Sequence, residues 1–226
     1  ARKCYTCTMK KSLQEAFKKE FPAIIFNEKL SKYSTFQIGG TADIFYHLKD
    51  NRELPPLLRL CNTNKLPYFI FGAGSNILFS DEGFRGLIIK IATKNIVMEN
   101  DDCITADAGV VVASLIQSAI QHGLSGIEYW VGLPGTVGGA VRGNAGCNGL
   151  ETQQILKSAT ILNPQTFKIR KVKNSYFRFK YRHSRLKETA EIVLSASFQL
   201  QKRAITREEQ LHIIKSLQKT RISKQP

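Results

Sequence analysis

The chain has 226 residues, of which 42% are hydrophobic and 23% charged, enough for one large domain or two modest ones. No apolar run reaches the length of a membrane span, and the stretch after Ala1 lacks the apolar core of a signal peptide, so we expect a cytoplasmic protein without a membrane partner. Lys and Arg total 33 against 18 Asp and Glu, a net charge of +15, which predicts attraction for phosphate-bearing ligands.

The basic residues are scattered along the chain, with moderate clustering between Lys168 and Lys187. No Arg- or Lys-rich tail and no nucleic-acid-binding motif is present, so a nucleic-acid partner is not expected. Sequence-independent binding to DNA or RNA stays open as an alternative, because it requires only positive charge.

The five cysteines are odd in number and irregularly spaced, which argues against a disulfide framework. They are Cys4, Cys7, Cys61, Cys103 and Cys147. Only the first two form a C-x-x-C pair, no second pair follows, and the four histidines show no metal-ligand spacing. No metal site is therefore predicted.

The first part of the chain predicts alternating helices and strands. In order, these are a helix opened by a capping box at Ser12–Glu15 and ended near Pro22, a close backbone contact at Gly39-Gly40, a strand over Ile44–Leu48, a helix over Asn51–Asn62, a buried strand over Leu66–Phe71, a strand over Ile77–Phe79 and a strand over Gly86–Ile91. This alternation predicts an α/β or α+β fold.

A second unit is predicted to start near residue 93. Its elements are a strand over Cys103–Ala106, a helix over Val110–Gln121 with Val111, Leu115 and Ala119 on one face and Gly123 after its end, strands over Lys157–Ile169 (turning at Asn163-Pro164), Ser175–Phe179 and Ile192–Leu200, and a last helix capped by Thr206 and Glu209.

The glycine loop after the Leu66–Phe71 strand is the first candidate site. In Gly72-Ala73-Gly74-Ser75-Asn76, two glycines let the backbone turn sharply and approach a ligand closely. Consecutive N–H groups in such a loop form a concavity for an anion such as a pyrophosphate. An ordinary structural turn is the alternative. The third glycine and following helix of a Rossmann fingerprint are absent.

The densest glycine region, residues 132–146, is the second candidate. Six glycines in fifteen residues would destabilise an ordinary helix or strand. Close approach of the backbone to a bulky ligand explains this density better than a structural loop does. Two such loops predict two walls of one pocket.

Taken in order, five motifs of the chain resemble those of the UDP-N-acetylenolpyruvoylglucosamine reductase family. They are Thr35-Phe36-Gln37-Ile38-Gly39-Gly40, Gly72-Ala73-Gly74-Ser75-Asn76, Gly132-Leu133-Pro134-Gly135-Thr136-Val137-Gly138-Gly139-Ala140, Asn144-Ala145-Gly146 and Tyr181-Arg182-His183-Ser184. Each motif is weak alone, but the ordered set spans most of the chain and is specific.

The resemblance implies an α+β fold with two FAD-binding subdomains of the vanillyl-alcohol-oxidase/PCMH type, followed by the start of a third, substrate-binding domain. The expected divisions are an N-terminal helical extension over 1–21, subdomains over 22–92 and 93–203, and the third domain from 204 to 226. FAD is expected to bind non-covalently. The residues implied to hold it are Gly72, Ala73, Gly74, Ser75, Asn76, Ile77, Pro134, Gly135, Thr136, Val137, Gly138 and Gly139.

The resemblance also implies the chemistry of a step in peptidoglycan synthesis. NADPH reduces FAD, and the reduced flavin passes hydride to the enolpyruvyl group of UDP-N-acetylglucosamine enolpyruvate. Arg182 matches the family's catalytic arginine. The permanent positive charge of an arginine suits the negative charge that develops next to the substrate carboxylate. Tyr181 and Asn144 are implied to contact the substrate. A monomer is expected.

Two family residues have no counterpart here, a proton-donating serine in a Gly-Ser-x-Phe-Lys-Asn-Pro segment and a late glutamate. The chain is therefore expected to be incomplete for catalysis. No insertion with an extra tyrosine loop lies between Ser184 and Ile192, which is typical of the shorter subclass of these reductases. A non-catalytic FAD-binding remnant or interaction module is the alternative function.

Overall fold

The computed structural model describes residues 11–202 and 205–224, with side chains described as far as residue 220. Cys4 and Cys7 lie outside the described residues. The helices are α1 (Lys11–Glu20), α2 (Leu54–Thr63), α3 (Val112–Gln121), α4 (Val137–Gly143), α5 (Thr152–Ile155), α6 (Leu186–Thr189) and α7 (Arg207–Lys224). The strands are β1 (Ile25–Lys29), β2 (Thr41–Leu48), β3 (Tyr68–Phe71), β4 (Phe84–Ile91), β5 (Ile96–Asn100), β6 (Cys103–Asp107), β7 (Leu124–Ser125), β8 (Gly146–Cys147), β9 (Leu150–Glu151), β10 (Leu156–Leu162), β11 (Ile169–Lys173), β12 (Ile192–Gln199) and β13 (Gln201–Lys202).

The first sheet has the strand order β1-β2-β4-β3. β2, β4 and β3 run parallel, so their carboxyl ends meet at one edge, and the glycine loop that begins at Gly72 leaves the sheet there. The prediction of a buried strand is wrong for β3. β3 is an edge strand, and the side chain of Phe69 on it is 39% exposed.

The first sheet separates a large hydrophobic core from a small one. On β4, Leu87 and Ile89 face the large core, which also contains the apolar faces of α2 and α3, whereas Ile88 faces the small one. Burial on both faces explains the unbroken apolar run of this strand. The small core also contains Leu30, Ala42, Phe45, Phe71 and Phe79.

The second sheet is antiparallel throughout, in the order β11-β10-β12-β6-β5. One row across it consists of Ala159, Ala196 and Ala106, which lie opposite one another on neighbouring strands and are buried. α4 contacts β12 and β6 on this sheet. The polar residues Thr105 and Ser197 occupy the next row.

Several predicted elements differ from the structure. Ile77–Phe79 is irregular chain and not a strand, and Ser175–Phe179 is not a strand because Asn174–Phe177 forms a 3-10 helix. α1 already includes Ser12, so Ser12 does not cap it. Val111 precedes α3 and is 47% exposed, so it does not share a face with the buried Leu115 and Ala119.

Two other helix boundaries signalled by caps are confirmed. Gly123, which follows the C-cap residue His122 of α3, has φ 71°, the left-handed conformation that glycine adopts readily at this position. Before α7, Thr206 N donates to Glu209 Oε2 at 2.7 Å and Glu209 N donates to Thr206 Oγ1 at 3.2 Å, the reciprocal pair of a capping box. α7 is joined to the rest of the molecule by the buried Gln210, whose Nε2 donates to Leu124 O at 2.7 Å.

Within the described ranges, no helix combines the length and apolar character needed to cross a membrane. The same ranges contain no group of three or more His, Cys, Asp or Glu side chains arranged to hold a metal ion.

Glu99 is expected to make the protein acid-sensitive between pH 4.5 and 2. The hydrogen bond from Thr105 is the largest cause that lowers the pKa of Glu99 from 4.5 to about 2; Ser197 and Lys171 lower it further, while burial opposes them. A lowered folded-state pKa stabilises the fold above the unfolded pKa, and this stability is lost as pH falls through the folded pKa.

The measurement is the urea midpoint of wild type and Glu99→Gln between pH 6 and about 2, with the exposed Glu82→Gln as control. We expect the wild-type and Glu82→Gln midpoints to fall more steeply than that of Glu99→Gln below pH 4.5. Parallel curves for all three proteins would contradict the assignment.

Candidate functional site

The two glycine-rich loops, which are more than fifty residues apart in the sequence, meet in space. A Cβ atom at Gly72 would overlap the hydroxyl of Thr136, and one at Gly135 would lie 3.1 Å from Ser75 Oγ. The two walls expected from the sequence therefore touch one another. We call residues 72–76 and 134–139 together the glycine clamp.

Gly74 shows why glycine is needed in the first loop. Its φ is 73°, and a Cβ atom there would overlap the carbonyl oxygen of Tyr33. The carbonyl of Gly74 in turn accepts from Thr35 N at 3.3 Å. The loop of residues 34–40 therefore supports the clamp from behind, a role that the Thr35–Gly40 motif did not reveal in the sequence.

The second loop contains a helix, although its many glycines are expected to destabilise regular structure. α4 spans Val137–Gly143. Gly138 lies against Ala108: a Cβ atom added at Gly138 would be 2.9 Å from the Ala108 Cβ, and Gly138 N donates to Ala108 O at 2.9 Å. Glycine here serves close packing of a helix against a strand end, and that packing offsets its low helix propensity.

The clamp presents unused backbone donors. Within the described part of the chain, the N–H groups of residues 73–76, Gly135, Thr136 and Gly139 donate to no acceptor. Gly139 is exposed, and a Cβ atom added there would meet only Thr136 Oγ1, at 3.7 Å. The two loops that carry these N–H groups touch at Gly72 and Thr136, and unpaired N–H groups grouped in this way suit a pyrophosphate.

Val111 is a candidate contact that the sequence did not reveal. It forms a β-bridge with Thr136 of the clamp and leaves 47% of its surface exposed. Val112 N donates to Gly135 O at 3.1 Å, which fixes the start of α3 beside the clamp. An exposed apolar side chain at the rim suits the flat face of a ring. The sequence feature that could have located Val111 at the clamp is Gly109, which lies two residues earlier and marks a turn.

Arg182 lies on a tight turn, which we call the arginine turn (Lys180–His183). Lys180 and His183 exchange two backbone hydrogen bonds, of 3.1 and 3.0 Å, so Tyr181 and Arg182 project from its tip. Tyr181 is 82% exposed, and the guanidinium carbon of Arg182 lies 5.9 Å from the centre of its ring. No acidic side chain among the described residues pairs with Arg182. Its charge is therefore available to an anion.

The side chain of Asn144 is buried and hydrogen-bonds within the protein. Its contact with a substrate stays a prediction. Nδ2 donates to Glu151 Oε2 at 2.9 Å and to Lys180 O at 3.1 Å, and Oδ1 accepts from Gln153 N at 3.0 Å. The N-A-G motif therefore marks a structural connection between the end of α4 and the arginine turn.

A buried carboxylate supports the segment that carries the arginine turn. Glu191 accepts hydrogen bonds from Arg170, Tyr176 and Thr189 at 2.7, 2.7 and 2.9 Å. Burial opposes ionisation, but these three donors outweigh it and the pKa of Glu191 lies below its usual value. Arg185 and Arg170 both lie over the Tyr176 ring, at 4.6 and 4.7 Å from its centre.

Comparisons with known proteins identify the family of the chain. A family profile described as "FAD binding domain" matches residues 42–166, which is more than half of the chain. A UDP-N-acetylenolpyruvoylglucosamine reductase from Listeria monocytogenes is 38% identical over 183 residues, which cover 80% of this chain and 61% of that protein. The chain thus spans about three fifths of the length of that curated relative.

Solved structures show the same fold. The UDP-N-acetylenolpyruvylglucosamine reductase of Thermus caldophilus superposes with a TM-score of 0.73 at 28% identity, over 90% of this chain and 70% of that one. An alkyldihydroxyacetonephosphate synthase aligns with a TM-score of 0.62 at 15% identity, over 85% of this chain and 40% of that one, which is a likeness of fold alone. The expected α+β FAD-binding fold of the PCMH type and the resemblance to the reductases are confirmed. The chain belongs to the FAD binding domain family and is similar, over most of its length, to UDP-N-acetylenolpyruvoylglucosamine reductases.

Proposed function

We propose that this chain is the FAD-binding part of a UDP-N-acetylenolpyruvoylglucosamine reductase that uses NADPH to form UDP-N-acetylmuramate. The observation that carries the proposal is the contact between the two glycine loops at Gly72 and Thr136. This contact presents backbone donors at one end of α4, while the arginine turn is attached at the other end. A cytoplasmic location, a monomeric state and the domain boundaries near residues 21, 92 and 203 remain predictions.

The residues of the glycine clamp fit a bound dinucleotide. The N–H groups of residues 73–76, Gly135, Thr136 and Gly139 would donate to its pyrophosphate, and the side chains of Ser75 and Asn76 would add donors. Ile77, Pro134, Val137 and Gly138 complete the proposed set. When bound, FAD supplies the capacity to accept hydride from NADPH and pass it on. The chain's own residues bind it, orient it and present charge to the substrate.

Arg182 is proposed to stabilise negative charge that develops beside the substrate carboxylate during hydride transfer. A guanidinium stays protonated, binds a carboxylate with two donors and cannot act as the proton source. Tyr181 is proposed to line the substrate path next to it. The resemblance implies a serine in a Gly-Ser-x-Phe-Lys-Asn-Pro segment as the proton donor, and we assign that role to no serine or glutamate of the described residues.

The test uses the full-length gene product, meaning residues 1–226 with whatever the gene encodes beyond them. We expect purified protein to show the flavin absorbance spectrum, or to acquire it on reconstitution with FAD. It should oxidise NADPH in the presence of UDP-N-acetylglucosamine enolpyruvate and leave NADPH unchanged with UDP-N-acetylglucosamine.

Each other outcome identifies a different function. Bound flavin without turnover of the enolpyruvyl sugar would favour a non-catalytic FAD-binding module. Absence of flavin even after reconstitution, together with salt-sensitive binding to DNA or RNA, would favour a basic nucleic-acid-binding protein.

A further inference from the structure

The location of Arg182 depends on residues that lie outside the arginine turn itself. α4 begins in the glycine clamp at Val137 and ends at Gly143, with Asn144 as its C-terminal cap. A helix of seven residues is about 10 Å long. The cofactor wall and the support of the arginine turn are thus the two ends of one short rigid element.

Three hydrogen bonds attach the segment around the arginine turn to the C-terminal end of α4. Asn144 Nδ2 donates to Lys180 O at 3.1 Å. Ser184 Oγ donates to Arg142 O at 2.7 Å, and Arg142 Nη1 donates to Leu186 O at 2.7 Å. The attachments lie before and after the tip of the turn, so together they fix its direction.

We propose that Asn144 is a positioning residue for Arg182, and that it acts by holding the arginine turn at a set distance from the glycine clamp. The proposal rests on the proposed function. Asn144 has φ 44°, a left-handed conformation that Asn and Gly tolerate best. Its buried amide connects three segments, through Lys180, Glu151 and Gln153. An amide is required, because a carboxylate there would face both the Lys180 carbonyl and the Glu151 carboxylate.

The arginine turn needs this support because its own conformation is unfavourable. Arg182 has φ 53°, which is costly for any residue with a side chain larger than glycine's. Such a conformation persists only when neighbouring contacts determine it. Loss of the bond to Lys180 would let the turn relax and move the guanidinium, and a displacement of about 1 Å at a reacting centre costs up to about 100-fold in rate.

The first measurement is hydrogen exchange of the peptide over residues 178–187 in the full-length gene product. Asn144→Gly keeps the left-handed backbone and removes the bond to Lys180. We expect the His183 amide, which donates to Lys180 O, to exchange at least about tenfold faster in this variant. The matched control is Asn148→Gly, since Asn148 has φ 49° and bonds instead to Tyr129 O at 2.9 Å. Exchange over 178–187 should not change in the control.

The second measurement separates the two halves of the reaction. In Asn144→Gly, we expect the FAD dissociation constant and the rate of flavin reduction by NADPH to stay within about twofold of wild type. Single-turnover hydride transfer to the enolpyruvyl sugar should fall by about 10- to 100-fold. Ser184→Ala, which removes the bond to Arg142, should act in the same direction and less strongly.

Unchanged exchange over 178–187, or hydride transfer within twofold of wild type, would overturn the proposal. Loss of FAD binding together with both half-reactions in Asn144→Gly and Ser184→Ala would also overturn it, because that is the result of a purely structural role. If wild type binds FAD but never reduces the enolpyruvyl sugar, the proposed function fails. The exchange measurement then decides whether Asn144 holds the turn.

Discussion

Arg182→Lys in the full-length gene product is expected to keep FAD bound and to lower hydride transfer to the enolpyruvyl sugar by about 100- to 1,000-fold. Lys keeps the positive charge but has no planar pair of donors for a carboxylate, and its ammonium is more strongly hydrated. The measurement is single-turnover oxidation of the reduced flavin by substrate, alongside reduction of the flavin by NADPH, which should be unaffected.

Arg178→Lys is the matched control for this prediction. Arg178 is also an exposed arginine with positive φ (45°), four residues earlier in the same basic segment. It lies outside the arginine turn, so its replacement should leave both half-reactions within about twofold of wild type. Equal rates for Arg182→Lys and wild type would remove Arg182 from the catalytic residues.

Gly139→Ala is expected to stabilise the apoprotein and weaken FAD binding at the same time. Gly139 lies inside α4, where alanine is favoured over glycine by about 0.5–1 kcal/mol. A Cβ atom at this position meets only Thr136 Oγ1, at 3.7 Å, so the apoprotein accommodates it. The new methyl group would nevertheless lie on the exposed face of α4 beside Thr136, where the pyrophosphate is proposed to bind, and we expect a rise of at least about tenfold in the FAD dissociation constant.

Gly143→Ala tests whether this effect belongs to the clamp. Gly143 is in the same helix, and a Cβ atom there meets nothing within 4 Å. Its substitution should raise the urea midpoint of the apoprotein by a similar amount and leave FAD affinity unchanged. Flavin fluorescence titration and urea unfolding measure the two quantities. Equal FAD affinities in both variants would show that the exposed face of α4 does not contact the cofactor.

The glycine loops were predictable because a glycine in the sequence marks a position where the backbone conformation or a close contact excludes a side chain. Gly72 and Gly74 have no room for a side chain, and that restriction is visible in the sequence as residue type. The caps at Gly123 and Thr206 were predictable for the same reason, since each meets a local backbone requirement. Such signals need no knowledge of what packs against them.

The remaining site features depended on contacts between distant segments. α4 contains glycines that disfavour a helix, yet Ala108 and β12 pack against it and stabilise it. The burial of Asn144 depends on Lys180 and Glu151, neither of which the N-A-G motif indicates. Val111 shares the spacing of a core face, but the chain ahead of α3 turns it toward the clamp. In each case tertiary packing overrode local preference.

The first half of the glycine clamp follows β3 of the first sheet, and the second half begins α4, which packs on β12 and β6 of the second sheet. The supply of FAD therefore bears on how long the protein survives in the cell. A ligand that contacts both halves binds the native state and not the unfolded chain. At a free concentration 100 times its dissociation constant, such a ligand adds about 2.7 kcal/mol to stability. A shortage of FAD would then raise the unfolded fraction roughly 100-fold and expose the chain to proteases.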